Sequence, residues 1–106
     1  MLEVKTSKES GQTVIDLVGE MDIATVDQFK MAVEEVRDGV SGMVFNLAEL
    51  SFVDSTGVGG LLNVIKSLKY DDMDVKVINV TAEVYEVFDL LGLPMLLGND
   101  VFLRAD

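Results

Sequence analysis

The chain has 106 residues, and its 8 Lys and Arg against 19 Asp and Glu give a formal net charge of -11. Because that charge repels phosphate backbones and anionic lipid headgroups, we expect the chain to bind neither nucleic acid nor membranes. The absence of Cys and His excludes disulfides, thiolate chemistry, the usual general base and the commonest metal ligand. The length fits a single domain over residues 1–106, and with no apolar run of signal-peptide or membrane-span length we expect a cytoplasmic protein.

The first part of the chain predicts a β-hairpin followed by a helix. Residues 2–6 and, less strictly, residues 13–19 alternate apolar and polar side chains, and the stretch between them is polar with a glycine. This is the pattern of two antiparallel strands joined by a loop. Thr25 and Gln28 then stand at capping-box spacing before an apolar stripe of helical period, which predicts a helix over residues 26–38.

Strand and helix patterns alternate in the rest of the chain. Short apolar runs typical of buried strands are separated by segments in which apolar side chains recur at helical spacing. The predicted elements are a strand at 43–47, a helix at 57–69, a strand at 75–80, a helix that Thr81 caps and Gly92 with Pro94 ends, and a strand at 101–103. The order predicts an α/β fold, a mixed sheet of four to five strands that begins with the hairpin and carries three helices.

The stretch FVDSTGVGG, residues 52–60, places Ser55 where a strand passes into a helix. A nucleophilic serine needs an adjacent base, and a chain without His and without a G-x-S-x-G elbow is not expected to be an enzyme. The three glycines lack the spacing and the lysine of a P-loop, so close packing or the approach of a partner explains them better than a phosphate cradle. From spacing alone, Ser55 is predicted to cap the helix, a role compatible with its being modified.

The paired acidic residues do not predict a metal site. Glu20 with Asp22, and the cluster Asp71, Asp72 and Asp74, lack the spacing of a calcium loop, and the second set lies in a turn where aspartates are ordinary. We therefore expect neither a metal nor a cofactor.

Three segments carry a resemblance to a known family. They are GEMD at residues 19–22, NL at 46–47 and, most specific of the three, LSFVDSTGVGGLL at 50–62. In this order, and over nearly the whole chain, they closely resemble the STAS domain of bacterial anti-sigma-factor antagonists. The resemblance implies the STAS fold and a binding switch, in which the unphosphorylated antagonist docks on an anti-sigma factor and so releases a sigma factor for transcription.

The resemblance also implies partners and a modification site. In this family the anti-sigma factor is usually a serine kinase as well, and it would use ATP to phosphorylate the serine directly after the motif aspartate, here Ser55. A PP2C-type phosphatase would remove the phosphate. ATP and Mg²⁺ would then belong to the partner, and Thr56 is a second candidate acceptor.

The remaining site residues have two interpretations each. Asp54 could orient the acceptor hydroxyl or hydrogen-bond the loop, or it could serve only as a turn residue. Asp22 matches a family acid near the phosphorylation loop, although a residue that merely leads into the helix fits equally well. Gly57 and Gly59 would keep the surface low so that a partner can reach the serine.

Two other classes of STAS protein stay open, a scaffold subunit of a large stress-sensing assembly and an accessory subunit of a transporter. A size measurement separates the scaffold, which should be very large, from an antagonist, which should be a monomer or small oligomer. Since only three residues follow Leu103, we expect the C-terminal helix that some relatives carry to be absent or displaced.

Overall fold

The N-terminal hairpin is longer than its sequence pattern predicts. In the computed structural model, which describes residues 1–104, β1 spans Leu2–Glu9 and β2 spans Gln12–Met21. Ser10 and Gly11 connect them with φ angles of 53° and 82°, the left-handed pair that suits the twist of a tight hairpin. Polar residues that the sequence pattern assigned to a loop therefore pair across the two strands.

Five strands form one sheet in the order β1-β2-β3-β4-β5, antiparallel between the first two strands and parallel between the others. This confirms the predicted mixed sheet with its N-terminal hairpin. The remaining elements are α1 (Val26–Val36), β3 (Gly42–Val53), α2 (Ser55–Tyr70), β4 (Asp74–Val80), α3 (Ala82–Leu90), α4 (Leu93–Leu97), a 3-10 turn (Asn99–Val101) and β5 (Phe102–Arg104).

The short helix α4 was not predicted. The sequence pattern predicts that Pro94 ends the third helix, but Pro94 lies in the first turn of α4, where the missing N–H leaves no helical hydrogen bond unmade. The expectation about a further C-terminal helix concerns residues past Arg104, which lie outside those described.

The core lies between the sheet and the helices. Ile15 and Leu17 of β2, Phe45 of β3 and Val77 of β4 are fully buried on the face that the helices cover. Phe29 of α1 packs edge-on against Phe45, with the ring centroids 5.8 Å apart. Because each parallel crossover moves to the next strand in the same direction and such crossovers are right-handed, the helices between the strands fall on one face.

Strand β3 reaches six residues beyond its predicted end. Its pairing with β2 has two register irregularities, and its last buried side chains, Leu47, Leu50 and Val53, are three residues apart instead of two. A bulged strand loses the alternation by which a strand is recognised in sequence. The extension brings the sheet directly up to Asp54 and Ser55.

Arg37 ties the C-terminal ends of α1 and α2 together. Its guanidinium donates hydrogen bonds to Glu34 (2.8 Å), to the Ser67 hydroxyl (3.1 Å) and to Asp71 (2.7 Å). The pKa of Arg37 is raised, chiefly by the hydrogen bond to Glu34. These contacts brace the end of the helix pair that lies away from Ser55.

The hydroxyl of Thr13 offers a test of the core. Thr13 is 1% exposed, and among residues 1–104 its Oγ1 has no hydrogen-bond partner. Since an unpaired buried hydroxyl costs about 1–3 kcal/mol, Thr13→Val is expected to raise the free energy of unfolding in urea by about 1 kcal/mol. The same change at the exposed Thr6 of β1 should alter it by less than about 0.5 kcal/mol. A less stable Thr13→Val protein would show that the hydroxyl is satisfied.

Candidate functional site

The predicted site residues lie at the carboxyl edge of the parallel strands. β2 ends at Met21 and β3 at Val53, and each strand is followed by a connection into a helix. The first connection contains Asp22, and the second consists of Asp54, which Ser55 follows as the first residue of α2. The structure joins the two connections, because the backbone N–H of Ile23 donates to Asp54 Oδ2 at 3.3 Å. In parallel sheets this edge is where ligands and partners gather.

Asp54, and not Ser55, caps α2. Asp54 has extended backbone angles (φ -100°, ψ -177°), and its Oδ1 accepts a hydrogen bond of 2.7 Å from the N–H of Gly57. Ser55 is the first residue of the helix, so the predicted cap by Ser55 is wrong. Spacing could not separate the two neighbours because aspartate and serine are equally good caps. Asp54 therefore hydrogen-bonds both connections, and its part in orienting the acceptor hydroxyl stays a prediction.

The hydroxyl of Ser55 therefore does not accept the capping hydrogen bond that the sequence predicts for it. Ser55 and Thr56 are both exposed in the first turn of α2. Asp54 is half-buried beside them, and its backbone N–H also donates to the Met21 carbonyl at 3.3 Å. The segment that presents the two hydroxyls is thus fastened to the end of β2.

The connection after β2 is fastened by its own side chains. Asp22 Oδ1 accepts from the N–H of Ala24 at 3.0 Å, and the N–H of Asp22 donates to the hydroxyl oxygen of Thr25 at 2.9 Å. The Thr25 hydroxyl donates in turn to the carbonyl of Glu20 at 3.0 Å. Asp22 therefore shapes the turn that leads into α1, which agrees with one of its two predicted roles.

The capping box predicted at Thr25 and Gln28 is not formed. The Thr25 hydroxyl faces back toward the end of β2, and Gln28 Nε2 donates to the Leu2 carbonyl at 2.9 Å. Of the side chains in residues 1–104, none caps α1. Gln28 thus hydrogen-bonds β1 instead of the N-terminal backbone of α1, where the local pattern predicts its contact.

The three glycines after Ser55 lie in different surroundings. A Cβ on Gly57 would overlap the Met21 carbonyl, and a Cβ on Gly60 would overlap a methyl group of Val26, whereas a Cβ on Gly59 would meet nothing within 4 Å. Gly57 is buried, so close packing accounts for its lack of a side chain, and its part in partner access stays a prediction. Gly59 is half-exposed, and its part in partner access stays a prediction.

Ile23 is a site residue that the sequence analysis missed. Its side chain is 76% exposed at the tip of the connection after β2, while its backbone is held by Asp54. The sequence does not indicate that Ile23 is exposed, because an isoleucine just before a helix is usually read as a core residue. Only the contact between the two connections reveals its position.

Removal of the Asp54 carboxylate is expected to destabilise the protein. Asp54→Ala should lower the free energy of unfolding in urea by about 1–2 kcal/mol, since it deletes the cap on Gly57 and the bond to Ile23. Ser55→Ala is the matched control at the next position and should change it by less than about 0.5 kcal/mol. If Ser55→Ala were the more damaging change, the serine would be the cap after all.

Across residues 1–104, no three Asp or Glu side chains are grouped closely enough to hold a metal ion. Nor does any helix among these residues have the length and apolar character needed to cross a membrane.

The family model of the STAS domain matches residues 3–104. The chain belongs to the STAS domain family. A STAS relative from Staphylococcus aureus (strain NCTC 8325), named anti-sigma-B factor antagonist, is 27% identical over 97 residues, which cover 91% of this chain and 90% of the relative. This agrees with the family that the motif segments indicated.

Several solved structures share the fold of this chain. The anti-sigma factor antagonist SpoIIAA in its unphosphorylated form is 26% identical with a TM-score of 0.77, covering 98% of this chain and 89% of that one. Bacillus SpoIIAA in the phosphorylated form is 25% identical with a TM-score of 0.72, covering 100% and 92%. The murine solute carrier 26 family member A9 anion transporter reaches a TM-score of 0.81 at 13% identity over 94% of this chain and 17% of the transporter, and at that identity the likeness shows the fold alone.

Proposed function

We propose that this STAS protein is a phosphorylation-switched anti-sigma-factor antagonist. In its unphosphorylated form it binds an anti-sigma factor that is also a serine kinase, and that binding releases a sigma factor in the cytoplasm. Phosphorylation of Ser55 ends the binding, and a PP2C-type phosphatase restores it. The protein itself acts by binding and not as an enzyme.

The observation that carries the proposal is the position of Ser55. Its side chain is exposed on the first turn of α2, and the neighbouring Asp54 performs the capping that would otherwise occupy a serine hydroxyl there. A kinase can therefore reach the hydroxyl without unfolding the helix. The names of the relatives support the same role, since one is an anti-sigma-B factor antagonist and SpoIIAA has been solved both with and without phosphate.

The modification is a phosphoryl transfer that the partner would carry out. Ser55 Oγ attacks the γ-phosphorus of ATP, a new O–P bond forms, the bond to ADP breaks, and the serine proton leaves with a base of the kinase. In the reverse direction, water supplied at the phosphatase takes the phosphoryl group as inorganic phosphate. The kinase would hold the ATP and Mg²⁺ of the first reaction, and the hydrolysis by the phosphatase uses no ATP.

The phosphate should spare the fold. It carries about -1.5 to -2 charges at pH 7, and at the N-terminus of a helix such charge is favoured by the free N–H groups and the helix dipole. Its charge would lie beside Asp54 and near Asp22 on a chain of net charge -11. Burying it against a partner without a matching cation is costly, and so the switch acts on docking.

Incubation with the cognate kinase tests the proposal directly. A purified ATP-binding anti-sigma factor from the same organism that binds this chain, together with ATP and Mg²⁺, should add one phosphate to the wild type and none to Ser55→Ala, as read by intact-mass spectrometry. Thr56→Ala is the matched control and should accept one phosphate. Phosphate on Ser55→Ala but not on Thr56→Ala would move the acceptor to Thr56, and no binding or transfer with wild type would refute the proposed function.

A further inference from the structure

The exposed apolar side chains of the carboxyl edge lie close to the phosphorylation site. Ile23 is 76% exposed and Phe52 is 49% exposed. Phe52 precedes Ser55 by only three residues, and Ile23 touches Asp54 through its backbone. Single exposed apolar side chains are ordinary in a folded domain, so what distinguishes Ile23 is its position beside Ser55 and the way its backbone is held.

The backbone around Ile23 is rigidly held although its side chain is free. The N–H groups of Asp22, Ile23 and Ala24 donate to the side chains of Thr25, Asp54 and Asp22, respectively. Each of these three consecutive donors thus has a fixed partner. A partner that covers the Ile23 side chain would therefore not have to order the loop that carries it, and loop ordering is one of the costs that reduce affinity.

The shared carboxylate fixes Ile23 relative to Ser55. Asp54 Oδ2 accepts a hydrogen bond from the Ile23 N–H, and Asp54 Oδ1 accepts one from the Gly57 N–H. Gly57 lies in the helical turn that also contains Ser55. Because the two connections are joined in this way, a protein that covers Ser55 would lie close to the connection that carries Ile23. The apolar side chain and the switch belong to one continuous surface.

We infer that Ile23 is the apolar anchor by which the anti-sigma factor docks on this chain, an inference that rests on the proposed function. The partner's matching surface would be an apolar pocket bordered by Lys or Arg side chains, because Asp22 and Asp54 flank the anchor on a chain of net charge -11. The apolar pocket of the partner would bind the Ile23 side chain. The basic residues around the pocket would pair with Asp22 and Asp54, and so would favour this surface over apolar surfaces without acidic neighbours.

The test uses calorimetry with a non-hydrolysable ATP analogue. It measures the affinity of the unphosphorylated variants for an ATP-binding anti-sigma factor from the same organism. Ile23→Ala should weaken binding about tenfold or more, because truncation of a hot-spot side chain has effects of that size. Ile23→Val, which keeps most of the side chain, should stay within about threefold of wild type. The backbone N–H that Asp54 accepts is unchanged in both variants.

Met95→Ala is the matched control. Met95 is 90% exposed on α4, a helix whose Leu97 carbonyl accepts from Lys69 in the last turn of α2, at the end opposite Ser55. Its removal should leave the affinity unchanged. If wild type binds but Ile23→Ala binds equally well, or if Met95→Ala weakens binding as much, the anchor is wrong and the proposed function stands. If wild type does not bind at all, the proposed function fails and the anchor with it.

Discussion

Phosphorylation of Ser55 is expected to weaken binding to the anti-sigma factor by about a hundredfold or more, while the free energy of unfolding stays within about 1 kcal/mol of the unphosphorylated protein. The phosphate would be placed beside the Asp54 carboxylate in the middle of the docking surface. An unpaired charge buried at an interface costs several kcal/mol, which corresponds to that loss of affinity. The helix itself tolerates the phosphate because its first N–H groups and its dipole favour negative charge.

Two substitutions separate the effect of charge from the effect of losing the hydroxyl. Ser55→Ala should bind like the unphosphorylated wild type and keep nearly all of the stability, because Asp54 supplies the cap. Ser55→Asp should fold at least as well as Ser55→Ala and bind much more weakly. The measurements are calorimetric titration and urea denaturation of the same preparations. Equal binding by the phosphorylated and unphosphorylated wild type would contradict the switch, whatever the mimic does.

Gly57→Ala is expected to lower the free energy of unfolding by about 2–3 kcal/mol, the cost of forcing an extra carbon into a packed site. The new methyl group would overlap the Met21 carbonyl and press on a methyl group of Val53, and backbone atoms cannot move aside as a flexible side chain can. To relieve the overlap, the first turn of α2 must shift away from the end of β2. That shift would also move Ser55, so binding should weaken together with stability.

Gly59→Ala provides the matched control in the same helical turn. A Cβ at this position meets nothing within 4 Å, and alanine is favoured over glycine inside a helix by about 0.5–1 kcal/mol, so the protein should become more stable. Denaturation in urea compares the two directly. If both alanine variants were stabilised, the close contact between α2 and β2 would be wrong. A stable Gly59→Ala protein that binds the anti-sigma factor poorly would support a low surface at this position.

The fold could be predicted from the sequence because its signals are local and repeated. Each pattern indicates which face of one element meets the core. The patterns are the alternation in the hairpin, the apolar stripes of α1 and α2, and the buried run that begins β3. The errors were at element ends. β3 lost its alternation after Leu47 because the bulged pairing with β2 altered which residues face the core, and α4 was hidden by a proline that the pattern equated with a stop.

The site was predicted in its position but not in its contacts. The DSTG stretch located Ser55 at the junction of a strand and a helix, but local spacing could not decide whether Asp54 or Ser55 would cap the helix. That choice depends on Asp54 lying where one carboxylate oxygen reaches the Gly57 N–H and the other reaches the Ile23 N–H from a different connection. The Thr25 capping box failed for a similar reason, since Gln28 finds the Leu2 carbonyl of β1.

By itself, the sequence determined the class of fold and the order of most of its elements, and it supplied Ser55 as the predicted site of modification, because periodicity, composition and the DSTG stretch are properties of neighbouring residues. Only the tertiary structure decided which group caps α2, why Gly57 is glycine and that Ile23 is held beside Ser55. These features depend on contacts between the ends of β2 and β3, whose site residues are more than thirty positions apart, as Ile23 and Asp54 are with a separation of 31. Parallel strands bring such residues together through a crossover helix, and no local pattern records which atoms then meet.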